Sequence, residues 1–246
     1  MYKSLLEKQF QIDFNVNKIP IENNLFVTSN SSNDSRYWAR NKADIVCYKD
    51  KLLVRTNNEK LTEELQSTFS NTNSEWFLEM KNVNKLSSIL EKYSLKIERL
   101  APFFIPNKLI IADNLDLPIK FFNQLDILDF KSNPNITEAF CYSNEDPDQL
   151  GIGYYNNSEL VAICGANKNG KYTWEIGIEI LDNTFRGKGI ATTLVKLLIA
   201  KIQSENSGII PVYSTSFSHV SSMNVAINAG LKLGWTEIII SENNSL

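Results

Sequence analysis

Glycine is missing from the first 150 residues of this 246-residue chain; all ten glycines fall between Gly151 and Gly234. Glycine accepts φ > 0 and lets a backbone or a ligand approach closely. The chain therefore contains two stretches built on different local rules, which argues for at least two structural units. The length agrees, at roughly 100–200 residues per domain. Cysteine is scarce: Cys47, Cys141 and Cys164 are scattered and odd in number. That fits a reducing compartment and speaks against a disulfide framework or a zinc site, so no metal is expected. No apolar run approaches the roughly 20 residues of a membrane span. The start carries Lys3, Glu7 and Lys8, where a secretory leader needs an uninterrupted apolar core. A basic excess is also absent. Lys and Arg total 25 against 28 Asp and Glu, a net charge of −3, so a dedicated nucleic-acid binder is not expected. The expectation is a cytoplasmic protein with neither a membrane nor a nucleic-acid partner. Hydrophobic residues at 43% and charged residues at 22% are ordinary for a globular chain and exclude wholesale disorder.

Residues 1–105 read as a smaller N-terminal α/β domain. Ser4–Phe14 is a candidate helix. Ala43–Tyr48 and Leu52–Thr56 flank a polar turn and form a hairpin. Glu59–Phe69 and Val83–Tyr93 have helical spacing, and Leu95–Phe104 reads as a strand. Nothing in this stretch converges on chemistry. Pro102, Pro106 and Pro118 cluster near a boundary, and residues 106–246 form the second domain. There Ile119–Phe130 is apolar and partly helical. The polar stretch 131–148 is a surface connection or a loop near a substrate mouth. Its acids, Asn144–Asp148, are a solvated turn or a lure for a cationic amine.

From Leu150 the pattern becomes regular: hairpin strands at 150–155 and 159–166, a long strand at Tyr172–Leu181, and a helix at about Gly187–Gln203. A strand at Ile209–Phe217 and a helix at Ser218–Ala229 follow, the latter with Gly230 suited to its C-cap. Leu231–Ile240 closes the sheet. The order is β-β-β-α-β-α-β, an α+β arrangement with a mixed α/β sheet. The informative junction is Phe185-Arg186-Gly187-Lys188-Gly189-Ile190-Ala191-Thr192. A glycine-rich turn from strand to helix exposes backbone N–H groups in a concave arc. The helix N-terminus adds unsatisfied donors and a positive dipole end. Two cations stand beside it, so the turn reads as a phosphate site. The competing reading is a tight turn whose glycines serve packing. No P-loop run and no G-x-G-x-x-G pattern occurs.

At this point the sequence resembles the GNAT family of acyl-CoA-dependent N-acyltransferases. Arg186-x-x-Gly189-x-Ala191 matches the family's R/Q-x-x-G-x-G/A pyrophosphate motif, and His219-x-x-Ser222 with Gly230-Leu231 is similar to its second motif. The strand Trp174–Glu179 resembles W-x-I-G-I-[DE] of a subgroup with an extra N-terminal domain. The resemblance covers about residues 105–246. It implies a central mixed sheet flanked by helices, splayed between Trp174–Leu181 and Ile209–Phe217, with acetyl-CoA as co-substrate in the splay. Backbone groups near Glu179, Ile180 and Leu181 would pair with the pantetheine arm. Amides of Gly187 through Thr192, including Lys188, Gly189, Ile190 and Ala191, would hold the pyrophosphate. The Leu181 amide would polarise the thioester carbonyl. His219 and Ser222 would contact CoA.

The implied activity is transfer of an acetyl group to a primary amine of a small molecule or peptide, by direct attack in a ternary complex. The amine must lose a proton. Glu175 and Glu179 share one strand face, with Gly177 between them, and are the candidate bases. The family's usual tyrosine acid is replaced by Ala226, and Tyr213, Ser214, Ser216, His219 or solvent would substitute. The other reading is a catalytically weak CoA-binding sensor or interaction protein. A homodimer is possible; the acceptor and the role of the N-terminal domain are not readable.

Overall fold

A computed structural model describes residues 2–111 and 117–243. In chain order its elements are α1 (Lys3–Asp13), β1 (Leu25–Thr28), β2 (Ala43–Tyr48), β3 (Lys51–Thr56), α2 (Glu59–Phe69), α3 (Met80–Glu91) and β4 (Leu95–Pro106). Then come β5 (Ile119–Phe122), α4 (Gln124–Leu128), β6 (Asp148–Asn156), β7 (Glu159–Lys168), β8 (Thr173–Ile180), α5 (Ile190–Glu205), β9 (Ile210–Ser214), α6 (Val220–Asn228) and β10 (Leu231–Glu242). The fold is α+β. The chain forms two compact units, one of residues 7–103 and 233–246, the other of residues 1–6 and 104–232.

In the first unit the strand order is β1-β3-β2-β10-β4. The β2–β3 hairpin closes through Lys49 (φ 49) and Asp50 (φ 60), the twin left-handed pair that matches the twist of a two-residue hairpin. Helix α2 starts where the Asn58 side chain accepts from the Leu61 amide at 3.1 Å, satisfying one of the helix's orphan donors. Its buried residues Leu61, Leu65 and Phe69 recur every four positions and make an apolar stripe. The stripe joins Ile45, Val54, Leu86 and Leu90 in one core. Sequence spacing places Leu231–Ile240 as the last strand of the C-terminal sheet. Thr236–Ile239 instead pair antiparallel with Asp44–Cys47 of β2, because Ile238 and Ile240 are buried in that N-terminal core. The short strand β1, which the sequence reading does not separate from its polar surroundings, pairs parallel with β3.

In the second unit the order is β9-β8-β7-β6-β5. All pairs are antiparallel except β8–β9, which is parallel. Helix α5 carries buried Leu194, Val195, Leu198, Ile199 and Ile202 into a core with Ile152, Cys164 and Ile176. Strand β8 alternates as period two requires. Trp174, Ile176, Ile178 and Ile180 belong to the α5 core. Glu175, Gly177 and Glu179 point to the opposite face. A second apolar cluster holds Phe122, Ile136, Ala139, Phe140 and Ile163.

Candidate active site

Strands β8 and β9 separate almost as soon as they meet. Their parallel register runs only from Thr173↔Ile210 to Glu175↔Val212. The Ile210 amide donates to the Tyr172 carbonyl at 2.8 Å, so even-numbered residues of this strand turn their backbone groups toward β9. By alternation Ile176, Ile178 and Ile180 do the same. Beyond Val212, β9 supplies no ladder partner for them. The result is a wedge-shaped opening whose one wall is a row of backbone donors and acceptors, as an added extended segment requires.

Beyond the open end of β8 lies the glycine turn. Asp182 accepts at 2.8 Å from both the amide and the hydroxyl of Thr184. These bonds, the amide first, hold its half-buried carboxyl below the usual carboxylate range. Gly187 and Gly189 have φ of 74° and 79°, which side-chain-bearing residues rarely adopt. Nothing lies within 4 Å of where a Cβ would stand on either. The open space above these glycines leaves room for a ligand. The first backbone bond of α5 runs from the Thr193 amide to the Gly189 carbonyl, 3.0 Å. The amides of Ile190, Ala191 and Thr192 therefore precede the helical ladder and are orphan donors of the helix start. Lys188 lies over the Phe185 ring, its Nζ 4.6 Å from the centroid, and Arg186 is exposed. Positive charge, orphan amides and an open glycine turn fit a pyrophosphate.

At the closed end of the opening, Glu175 lies on the face away from α5. Ser214 Oγ donates to Glu175 Oε1 at 2.5 Å, and the Asn169 side-chain amide donates to Oε2. Ser214 is contributed by β9 just past its last paired residue, so this bond spans the point where the strands part.

The sequence model of the acetyltransferase (GNAT) family matches residues 119–225. This segment is a GNAT acetyltransferase domain. No curated protein matches the chain. Among solved structures it is similar to a GCN5-related N-acetyltransferase-like protein from Streptococcus suis 89/1591. The identity is 11% and the TM-score 0.47, over 82% of this chain and 84% of that one. It is also similar to an acetyltransferase of the GNAT family from Colwellia psychrerythraea, at 15% identity and TM-score 0.43, over 82% of each chain. A GNAT domain over this segment implies acyl transfer from acyl-CoA.

Within the GNAT domain the candidate residues separate into groups. Gly187 through Thr192 form the turn just described. Of the backbone groups on β8, Ile180 faces the opening. Leu181 does not: its amide donates to the Val161 carbonyl at 2.9 Å. The expectation that this amide polarises a thioester is corrected by that bond, since an odd-numbered residue of the ladder faces β7. Glu175 and Glu179 share their face as expected but differ in surroundings. Glu179 Oε1 accepts from the amides of Thr137 and Glu138 and from the Thr137 hydroxyl, and its Oε2 accepts from the Ala139 amide. Tyr213 is buried, its hydroxyl 2.8 Å from Ser222 Oγ. Burial, the larger influence, raises its phenol pKa against the opposing Ser222 bond. Ser222 is thereby engaged with Tyr213. His219 is exposed at the N-cap of α6, where its side chain makes no capping bond. Ala226 is fully buried, so no acid stands at that position.

The acidic stretch at 144–148 is not a simple charged mouth. Asp148 accepts from the amides of Cys141 and Tyr142 at 2.9 and 2.8 Å, which ties down the loop. Sequence reasoning passed over Tyr142. Its φ is 52°, and its buried hydroxyl has no hydrogen-bond partner among the described residues. Burial, then the charges of Asp148 and Glu179, push its phenol up to about 12. No local motif announces this residue. Among the described residues no group of three or more His, Cys, Asp or Glu is placed to hold a metal, and no helix is long and apolar enough to cross a membrane.

Proposed function

We propose that the GNAT domain transfers an acetyl group from acetyl-CoA to a primary amine of a small molecule or peptide. The observation that carries this reading is the coincidence of three features along β8. The strand loses its partner beyond Glu175, a carboxylate sits at that apex, and an open amide turn follows the strand's far end. Pyrophosphate fits the amides of Gly187–Thr192 with Arg186 and Lys188 beside it. The outward-facing backbone of Ile176, Ile178 and Ile180 pairs with an extended arm, which brings a thioester to Glu175.

Glu175 then takes a proton from the acceptor ammonium, leaving a free amine lone pair. Asn169 and Ser214 orient the carboxylate for this without neutralising it. The amine attacks the carbonyl carbon, the C–N bond forms, the nitrogen gives up its second proton to solvent, and the C–S bond breaks with its electron pair going to sulfur. With Ala226 at the usual acid position, protonation of sulfur falls to the Tyr213–Ser222 hydroxyl pair or to solvent. A thiolate is a tolerable leaving group, so this step places little demand on the protein.

Acetyl-CoA is expected to raise the melting temperature of the full chain, as any ligand selective for the folded state does. Gly189→Pro, which cannot adopt a positive φ, and Arg186→Glu are expected to remove the shift. No shift for the unaltered protein at millimolar acetyl-CoA sinks the reading. Free-thiol release across a panel of primary amines tests transfer itself. Binding without any release favours the second reading, a CoA-binding sensor, which the missing acid at Ala226 motivates.

A further inference from the structure

Three glycines stand side by side across three neighbouring strands. Gly151 of β6 is opposite Gly165 of β7, and Gly165 is opposite Gly177 of β8. Opposed residues share a sheet face, so the row is a trough without side chains. The segment 138–140 lies in it. A Cβ on Gly177 would stand 1.7 Å from the Glu138 carbonyl oxygen. One on Gly165 would stand 2.0 Å from the Ala139 carbonyl oxygen, and one on Gly151 would stand 2.9 Å from the Phe140 ring. Backbone this close tolerates no side chain beneath it. At the end of the trough Glu179 receives three consecutive amides and a hydroxyl from Thr137, Glu138 and Ala139. Four donors on one carboxylate occupy most of its acceptor sites and tie it to the segment.

The position of this segment bears on catalysis. Gly177 is two residues from Glu175 on the same strand face, a distance of roughly 7 Å. The segment therefore crosses the face of β8 between Glu179 and Gly177, one same-face position from Glu175, with Thr137 and Glu138 exposed. An acceptor that reaches Glu175 along this face meets that segment as a wall.

We infer that Glu179 and the glycine row form a clamp that fixes Thr137–Ala139 as the acceptor-side wall beside Glu175. Glu179 is then a positioning residue acting through the segment, not the proton acceptor. The inference rests on the transferase reading above. Its predicted signature is selective. Releasing the wall degrades acceptor binding and leaves the acetyl-CoA turn, built from other residues, unaffected.

The test compares Glu179→Ala and Glu179→Gln with the unaltered full chain. It uses hydrogen exchange at residues 137–139, acetyl-CoA affinity by calorimetry, and steady-state rates with whichever primary amine of the panel is turned over. In Glu179→Ala, exchange at the three amides is expected to accelerate by about tenfold or more, since local opening no longer breaks these bonds. Acceptor KM is expected to rise about tenfold with kcat within about threefold, and acetyl-CoA affinity is expected to hold. Glu179→Gln keeps an acceptor oxygen and is expected to recover part of both effects. Unchanged exchange in Glu179→Ala overturns the clamp. A loss confined to kcat, with removal of the acidic limb of the pH–rate profile, overturns it in favour of Glu179 as the base. If the unaltered protein binds acetyl-CoA but acylates no amine, the transferase reading fails and takes the acceptor role with it. The exchange data tell that failure from failure of the clamp.

Discussion

Both units hold carboxylates away from bulk water, but they satisfy them in opposite ways. In the first unit Arg36 is surrounded by acids. Its Nε meets Asp13 at 2.6 Å, its Nη1 meets Glu237 at 2.5 Å, and its Nη2 lies 3.6 Å from Asp44. The guanidinium lies within 6 Å of the rings of Phe10, Phe103 and Trp235. Burial works against its charge, and Glu237, Asp13 and Asp44 more than offset that, so it stays fully charged. These carboxylates surround a cation under an aromatic cover, away from solvent. In the GNAT domain Glu175 and Glu179 are only half-buried; Glu175 accepts from an amide side chain and a hydroxyl, and Glu179 from three backbone N–H groups and a hydroxyl. Neutral donors orient a carboxylate while leaving its negative charge intact, as a base needs. The comparison sets acids sealed around a guanidinium beside acids held half-buried on a sheet face by directed donors.

The comparison breaks most directly at Glu175. Glu175→Gln keeps the shape and an acceptor oxygen for Ser214, yet is expected to lower kcat by about 10²- to 10⁴-fold, the usual worth of a general base. Acetyl-CoA affinity should hold. A loss below about tenfold in a steady-state assay would mean that this acid is structural too. On the other side, Arg36→Leu strips the counter-charge from three buried acids. It is expected to cost about 3–5 kcal/mol in denaturant unfolding, because a buried charge left unpaired costs more than the pair gains. A cost under about 1 kcal/mol would place this cluster with exposed ion pairs.

The smallest effect concerns Asp44. Among the described residues neither of its carboxylate oxygens receives a hydrogen bond. Burial, then repulsion from Glu237, push its carboxyl well above the usual carboxylate range, against Arg36 and Arg55. The folded chain therefore binds this proton more tightly than the unfolded chain. The contribution is full below the ordinary aspartate value and is lost as pH rises through the raised one. Asp44→Asn, always neutral, is expected to flatten that slope and leave the protein more stable toward neutral pH, by an amount on the order of 1 kcal/mol. Urea unfolding across mildly acidic to neutral pH measures it, and an unchanged slope refutes it.

Much of the GNAT domain was legible because its signals are local. Period-two alternation marks β8, a stripe of aliphatic residues marks α5, and Gly230 closes α6 with φ 93°. The turn at Gly187–Thr192 announces itself by residue type and place in the chain. The hydrogen-bond partners of Glu175 were not legible. Asn169 precedes it by six residues and Ser214 follows by 39, and only the parting of β8 from β9 brings them to one carboxylate. The engagement of Leu181 with Val161 likewise depends on the register with β7, which alternation within β8 does not fix.

The abrupt onset of glycine at residue 151 is a property of the sequence alone, and so is the positive-φ turn it supplies at 187–189. Backbone conformation is set by the residue that adopts it, so these features need no distant partner. What tertiary structure decided is why Gly151, Gly165 and Gly177 are glycine at all. They lie 14 and 12 residues apart, with no motif joining them, and become one trough only when three strands align and residues 138–140 cross above them. A steric requirement imposed by a remote segment leaves no trace in local composition, whereas a turn carries its reason within itself.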